Sequence, residues 1–195
     1  MFISFVGMPG SGKSTVGRHL ARRLNVPFRD SDPVIEQRIG CSIREFFERG
    51  GEGGGETRFR DIESEVIASL CLQGGDPGGT GGVLSTGGGA VLREANRQHL
   101  RAHGHVVYLR ATAEELMRRL RRDTQRPLLQ VDDPMQRLRD LLAQRDPLYR
   151  EVAHFIVDTG RPSVASLVNM IVMQLELAGV IPAHVASVPA ADKAL

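Results

Sequence analysis

The most informative residues for chemistry are Gly7-Met8-Pro9-Gly10-Ser11-Gly12-Lys13-Ser14, which fit the pattern G-x-x-x-x-G-K-[ST]. Glycines so spaced let successive backbone N–H groups turn inward around a phosphate, and the N-terminus of a following helix adds positive potential. The lysine then reaches the β- and γ-phosphates, and the serine hydroxyl can ligate Mg²⁺. Gly10, Ser11, Gly12, Lys13, Ser14 and Thr15 are accordingly the candidates for binding ATP, and Ser14 for the metal. Gly10, Gly12 and Gly17 also come close to the G-x-G-x-x-G spacing of a dinucleotide loop. Lys13-Ser14 argues against that reading, because such a loop has no use for a lysine. Of the 25 Lys and Arg residues only Lys13 and Lys193 are lysines, so a lysine inside this motif is an informative choice.

A second constellation is Asp30-Ser31-Asp32, placed just past an expected second strand, where carboxylates of a parallel sheet reach the ligand crevice. Two such acids can divide labour. Asp30 would hold a water of the magnesium shell, and Asp32 would accept a proton from an attacking hydroxyl. The competing reading is that Asp32 caps the next helix, with Pro33 at its favourable first position. Phe155-Ile156-Val157-Asp158 also ends in an acid able to serve the metal, but Asp158 could equally open the turn through Thr159-Gly160-Arg161-Pro162, so Asp30 is preferred. Arg118, Arg119, Arg121 and Arg122, followed by Arg126-Pro127-Leu128-Leu129, could form a mobile lid that folds cations over a triphosphate. For the helical arginines a solvated face is the plainer reading; Arg126 differs in standing beside a proline outside the helix. The six histidines form no ligand spacing, so no zinc site is assigned, and Tyr108 and Tyr149 read as packing residues.

The elements that must position these groups alternate. Apolar runs predict strands at 2–6, 27–29, 83–85, 106–109 and 155–157. Helical patterns follow the glycine loop to residue 24 and recur at 33–39, 56–72, 93–103, 113–122, 134–144 and 163–177, with a capping box at Ser42–Glu45. The stripe expected to be buried on 56–72 is Phe59, Ile62, Val66, Ile67 and Leu70. Strand–helix alternation implies a parallel sheet covered on both faces, an α/β fold in a single domain over 1–178. Glycine-rich stretches at 50–55 and 74–82 read as flexible surface insertions, and 179–195 as a disordered tail.

Composition excludes several classes. With 41% hydrophobic and 25% charged residues, disorder over most of the 195 residues is excluded. No apolar run approaches the roughly 20 residues of a membrane span. A net charge of +2 is too balanced to argue for nucleic acid. Cys41 and Cys71 lack any CxxC or metal spacing and read as reduced, mostly buried thiols in a reducing compartment. The first residues carry no export signal, so a cytoplasmic protein is expected.

In chain order, GMPGSGKST, DSD, GETRFRDIE, STGGGAVL, RPLL and RDPLY make this sequence resemble the shikimate kinase family from Gly7 to about Leu177. The resemblance implies a P-loop fold of the nucleoside-monophosphate-kinase-like kind: three layers α/β/α, a five-stranded parallel sheet, a substrate-binding region at about 32–63 and a lid at about 121–134. It implies ATP as donor, Mg²⁺ as cofactor, and transfer to the 3-hydroxyl of shikimate on the route to chorismate and the aromatic amino acids. Carried over residue by residue, Asp32 would orient and deprotonate that hydroxyl, and Arg60 and Arg145 would grip the substrate. Gly88, within Gly87-Gly88-Gly89, would present its N–H to the substrate, and Arg126 would touch the phosphates from the lid. Arg119 and Arg161 would sandwich adenine, although the loop at 160–162 is shorter than the family pattern. The chemistry agrees: a small polyhydroxy acid needs planar cations for its carboxylate and an acid for its hydroxyls. Lys13, Mg²⁺, the loop amides and Arg126 would neutralise the transferring group; Glu63 would either hold Arg60 in its fork geometry or form an ordinary surface i,i+3 pair with it. A monomer is expected. The alternatives are a gluconate or other small-metabolite kinase on the same fold, and a nucleotide-binding regulator without turnover. Departures from the family pattern are the insertion at 50–54 and the longer loop before Val83; neither touches a matched residue.

Overall fold

Five consecutive buried residues, Phe2–Val6, form the central strand β1 in a computed structural model that describes residues 1–50, 55–75, 81–120, 132–160 and 162–183. Such a run without polar alternation suits a strand covered on both faces. β2 (Phe28–Asp30), β3 (Gly82–Ser85), β4 (His105–Arg110) and β5 (Phe155–Asp158) complete a five-stranded sheet in the order β2-β3-β1-β4-β5, all pairs parallel. The expected lid with Arg126, the residue Arg161, most of both glycine-rich stretches and the tail from 184 onward lie outside the described residues.

Alternation along β1 and β4 splits the core into two. Ile3, Phe5, Val107 and Leu109 face α1 (Lys13–Leu24) and α8 (Val164–Leu177), meeting Val16, Leu20, Leu167 and Ile171. Phe2, Val6, Val106 and Tyr108 face the opposite layer, which contains α4 (Gly55–Gly75), α5 (Glu94–His103), α6 (Ala113–Leu120) and α7 (Pro134–Val152). Two further helices, α2 (Ser31–Ile39) and α3 (Ile43–Arg49), pack on α4 beyond β2. The result is the three-layer α/β/α architecture expected from the sequence, with the carboxyl ends of all strands, and the loops after them, at one edge.

Three elements depart from the sequence reading. Helix α2 begins at Ser31 rather than Pro33, because Asp30 is its N-cap and accepts the Asp32 N–H at 3.2 Å. On α4 the buried stripe contains Glu63, while Ile62 is only half-buried, so a charged residue occupies a core position. Helix α7 runs eight residues past the expected end, through Pro147 to Val152. Proline removes one helical hydrogen bond, but Ala143 and Pro147 lie on the exposed side, where water can take the orphaned carbonyl. Leu138, Leu141, Tyr149 and Val152 anchor the same helix in the core on either side of that point. Both cysteines are free thiols; Cys41 is half-buried, and burial pushes the Cys71 thiol up to about 12, leaving it unreactive.

At the amino end of β4 and β5, the ring Nδ1 of His154 accepts the Val106 N–H at 2.9 Å, while the backbone N–H of His154 donates to the Val106 carbonyl at 2.8 Å. Burial first, then the nearby Arg101 and His105, hold this imidazole below the ordinary histidine range. The folded protein therefore keeps His154 neutral where the unfolded chain takes a proton, so stability is lost as pH falls through the unfolded value toward the depressed folded one. Urea unfolding should show a lower midpoint at about pH 5.5 than at about pH 8, and His154→Asn, which keeps an acceptor without titrating, should lose less between those two conditions.

Candidate active site

The turn between β1 and α1 is built by glycines in conformations closed to other residues: Gly10 and Gly12 have φ of 83° and 95°. Gly12 is the N-cap of α1; no side chain caps the helix and no acid occupies its first turn. The first N–H groups and the positive end of the helix dipole are thus left to an external anion. Lys13, only 8% exposed, donates from Nζ to the carbonyls of Gly7 at 2.9 Å and Met8 at 3.0 Å, which holds the turn closed around its own ammonium.

Ser14 leads out of this cup toward the acids. Its Oγ donates to Asp30 Oδ2 at 2.6 Å and lies 3.2 Å from Ser85 Oγ at the end of β3. Because Asp30 caps α2 with its other oxygen, the carboxylate of Asp32 is not the cap. Asp32 lines, with Gly10, Lys13, Thr15 and Gly88, a cavity of about 310 Å³ at the carboxyl edge of the sheet. Asp158 is elsewhere: it forms a two-pronged pair with Arg110, at 2.6 and 2.7 Å, which holds its carboxyl below the usual range. That pair borders a larger open cleft of about 720 Å³ between α6 and α7 that contains no residue of the phosphate loop. Asp30, bonded to Ser14, and Asp158, paired with Arg110, thus stand in different surroundings.

Gly87, Gly88 and Gly89 lie where these parts meet. Their backbone conformations are ordinary, and what opposes a side chain is proximity, most firmly at Gly88, where the neighbour is the Pro9 ring rather than the end of a flexible side chain. A Cβ on Gly87 would fall 2.9 Å from Asp32 Oδ1 and 3.1 Å from Glu63 Oε1; on Gly88, 2.5 Å from Pro9 Cδ; on Gly89, against the guanidinium of Arg60. The turn is fixed by Ser31 Oγ, which accepts the Gly87 N–H at 3.1 Å, and by the Gly87 carbonyl, which accepts the Ala90 N–H at 3.1 Å.

Arg60 and Arg145 come to this turn from α4 and α7. Arg60 donates from Nη1 to Glu63 at 2.7 Å, one helical turn later on α4, and Arg145 donates from Nη1 to the Gly88 carbonyl at 3.3 Å. Burial pushes the Glu63 carboxyl upward, Arg60 pulls it back, and Asp32 and Arg145 act on it in opposite senses, so the four charges form one cluster. The buried Nε atoms of Arg60 and Arg145 have no hydrogen-bond partner among the described residues. Two planar cations with donors to spare, beside an aspartate, suit a ligand with a carboxylate and hydroxyls.

Arg119 reaches the loop from the other side. It donates to the Gly10 and Ser11 carbonyls at 3.4 Å each, to Thr159 Oγ1 at 3.0 Å and to the Thr159 carbonyl, joining the end of α6 and the turn after β5 to the phosphate loop. The structure therefore gathers Lys13, Ser14, Asp30, Asp32, Arg60, Gly87, Gly88, Gly89, Arg119 and Arg145 at one edge; Arg126 and Arg161 lie outside the described residues. Sequence reasoning missed three neighbours: Ser31, Ser85 and Tyr149. The phenol of Tyr149 donates to the Gly88 carbonyl at 2.5 Å. Ser31 and Ser85 stood inside motifs already singled out, whereas Tyr149 carried no signal beyond its place in RDPLY.

Comparison with known proteins gives a consistent answer. The family model described as shikimate kinase matches residues 9–176. A shikimate kinase of Paracidovorax citrulli is 58% identical over 181 residues, covering 92% of this chain and 94% of that protein. One from Ralstonia nicotianae is 52% identical over 187 residues, covering 96% and 93%. Among solved structures, the shikimate kinase from Acinetobacter baumannii in complex with shikimate superposes with a TM-score of 0.79 at 45% identity, covering 91% of this chain and 93% of that one.

Two acids pair with Arg60 in very different surroundings, which makes their contributions separable. The side chain of Glu63 is 2% exposed, and that of Glu56, 3.4 Å from Arg60, is 71% exposed. Glu63→Ala leaves a nearly buried cation without its buried partner, with only the longer pair to exposed Glu56 remaining of the two, and should cost about 3 kcal/mol in urea unfolding. Glu56→Ala should cost less than about 1 kcal/mol. Equal losses would contradict a buried pair.

Proposed function

The chain belongs to the shikimate kinase family, and on that footing we propose how its own residues divide the work of phosphorylating shikimate. The protein is an ATP-dependent phosphotransferase acting on an alcohol group, the 3-hydroxyl of shikimate, to give shikimate 3-phosphate. The observation that carries the assignment of roles is a juxtaposition: an amide-lined, uncapped helix terminus and Lys13 beside one part of the Gly87–Gly89 turn, Arg60 and Arg145 against another, and Asp32 lining the cavity that Lys13 and Gly88 share.

On the nucleotide side, Gly10, Ser11, Gly12, Lys13, Ser14 and Thr15 cradle the phosphates. Lys13 exchanges loop carbonyls for phosphate oxygens, which strengthens its hydrogen bonds by placing charge on the acceptor. Arg119, already anchored on the loop, borders the base-binding side; in this proposal Arg161 faces it across adenine and Arg126 approaches the phosphates from the lid. On the acceptor side, Arg60 and Arg145 bind the shikimate carboxylate, while Asp32 orients the 3-hydroxyl and takes its proton as oxygen attacks the γ-phosphorus and the bond to ADP breaks. No covalent enzyme intermediate is needed.

The donor set at Ser14, with Asp30 at 2.6 Å and Ser85 at 3.2 Å, consists of hard oxygens and fits Mg²⁺, which keeps most of its waters. Ser14 would ligate it and Asp30 would hold one of its waters; when bound, the ion neutralises charge on the β- and γ-phosphates. The protein is further proposed to act as a monomer in the cytoplasm, without nucleic acid. Among the described residues no helix is long and apolar enough to cross a membrane.

An ADP-release assay with shikimate, and with gluconate as the competing acceptor, tests the assignment: release should depend on shikimate. Asp32→Asn should lower turnover by about 10²-fold or more while nucleotide titration calorimetry shows ATP binding intact. Unchanged turnover would remove Asp32 from the proton-accepting role. Arg145→Lys should mainly raise the KM for shikimate, by about 10-fold, since an ammonium cannot reproduce the bidentate fork. A change confined to the KM for ATP would contradict its placement.

A further inference from the structure

Helix α7 sends two donors to one acceptor. Arg145 and Tyr149, one turn apart, both bond to the Gly88 carbonyl, Arg145 from Nη1 at 3.3 Å and Tyr149 from its hydroxyl at 2.5 Å. The tyrosine is fully buried, its ring stacks on that of Tyr108 with centroids 4.9 Å apart, and its hydroxyl oxygen lies 3.8 Å from Met8 Sδ in the phosphate loop. Tyr108 is held in turn: its hydroxyl donates to Asp146 at 2.8 Å, and Asp146 accepts from Arg150 at 2.5 Å. Burial raises the phenol of Tyr149 well above its ordinary value, so it is a permanent donor at any working pH.

We infer that Tyr149 is a positioning residue for the acceptor: its hydroxyl carries the Gly88 carbonyl, which fixes the 88–89 peptide and leaves Arg145 free to turn its remaining donors on the substrate. The physical basis is the planarity of the peptide unit. In a trans peptide the N–H lies antiparallel to the C=O, so holding the Gly88 carbonyl toward α7 directs the Gly89 N–H the opposite way. That amide belongs to the residue whose α-carbon lies against Arg60. The division between the two donors follows from distance: at 2.5 Å the phenol makes the stronger bond, and at 3.3 Å the guanidinium makes a long one. Without the phenol, a half-buried carbonyl would draw Arg145 in as its main donor, because leaving such an acceptor unpaired is costly. Arg145 would then be lost to the substrate carboxylate, and the peptide plane would be less well held. The inference rests on the assignment of Arg145 to shikimate given above.

The test compares two conservative variants that keep the stacked rings. Tyr149→Phe removes the bond to Gly88 together with the hydroxyl's contacts to Arg145 and Met8; Tyr108→Phe removes the bond to Asp146. Both should unfold cooperatively, and thermal melts establish that each is folded before kinetics are read. For Tyr149→Phe the KM for shikimate should rise about 10-fold, with kcat and the KM for ATP within about twofold of wild type. Tyr108→Phe should leave all three within about twofold. A Tyr149→Phe enzyme with an unchanged KM for shikimate overturns the inference. So does a rise of the same size in both variants, which would report loosened packing of the ring pair. Failure of the wild-type enzyme to turn over shikimate would instead overturn the assignment of substrate, so the two failures are distinguishable.

Discussion

Everything at this site depends on how closely the Gly87–Gly89 backbone approaches its surroundings. Three successive α-carbons lie against three different groups: the acids Asp32 and Glu63, the proline of the phosphate loop, and the guanidinium of Arg60. A side chain at any of the three would push one of these groups away, and Pro9, a ring fixed in the backbone, has least room to yield. The turn thus sets the spacing between the phosphate cup and the acceptor cluster. Phosphoryl transfer asks mainly for positioning and charge neutralisation, so in the proposed reaction this spacer of bare backbone would serve catalysis by fixing distances. Its own hydrogen bonds come from β2–α2 through Ser31, from the short turn through Ala90, and from α7 through Arg145 and Tyr149. Elements distant in sequence therefore converge on three residues without side chains.

The acceptor cluster is electrostatically demanding. Glu63 is 1% exposed, and placing its charge in the core is opposed by desolvation, as the upward push on its carboxyl shows. Arg60 offsets that penalty, and the pair in turn preorganises the guanidinium before any ligand arrives. A buried ion pair of this kind contributes little net stability relative to a hydrophobic alternative. What it supplies is a cation in a fixed orientation inside a region of low dielectric, where its attraction for a carboxylate is least screened. Glu63 also explains the difference from the stripe expected on α4, where Phe59, Val66, Ile67 and Leu70 are buried but Ile62 is only half-buried: an apolar pattern has no means of marking a core site occupied by a charged residue.

Local signals were legible and distant ones were not. The phosphate loop could be read because glycine conformation, helix start and lysine lie within a few consecutive residues, and the parallel sheet because short, largely apolar runs, clearest at 2–6 and 106–109, alternate with helical patterns. Asp30 as the cap of α2 was not legible, since Asp30 and Asp32 both suit that role on sequence alone and only the backbone decides between them. The continuation of α7 through Pro147 was hidden for a different reason. Local propensity ends a helix there, and the burial of Tyr149 and Val152 beyond it, which outweighs one missing hydrogen bond, depends on tertiary packing. That error mattered for function, because Tyr149 reaches Gly88 only if the helix carrying Arg145 continues for one more turn. Tyr149 was read as packing, which it is; that its hydroxyl also serves the glycine turn depends on a contact 61 positions away in sequence.

The choice of lysine at position 13, in a chain that otherwise uses arginine almost throughout, has a physical reason visible in the loop. The Lys13 ammonium sits inside a turn whose carbonyls, at Gly7 and Met8, accept from it at 2.9 and 3.0 Å. A compact ammonium can make such bonds in directions set by the backbone, whereas a planar guanidinium needs acceptors in one plane and more room than the turn provides. Neutral carbonyls stabilise the buried cation enough to keep it in place, yet they are weaker partners than phosphate oxygens. In the proposed reaction, exchange of one for the other would therefore be favourable, and more so as charge shifts in the transferring group. An arginine there would either open the turn or bind its own backbone less well; the cation would then be positioned by the nucleotide rather than for it.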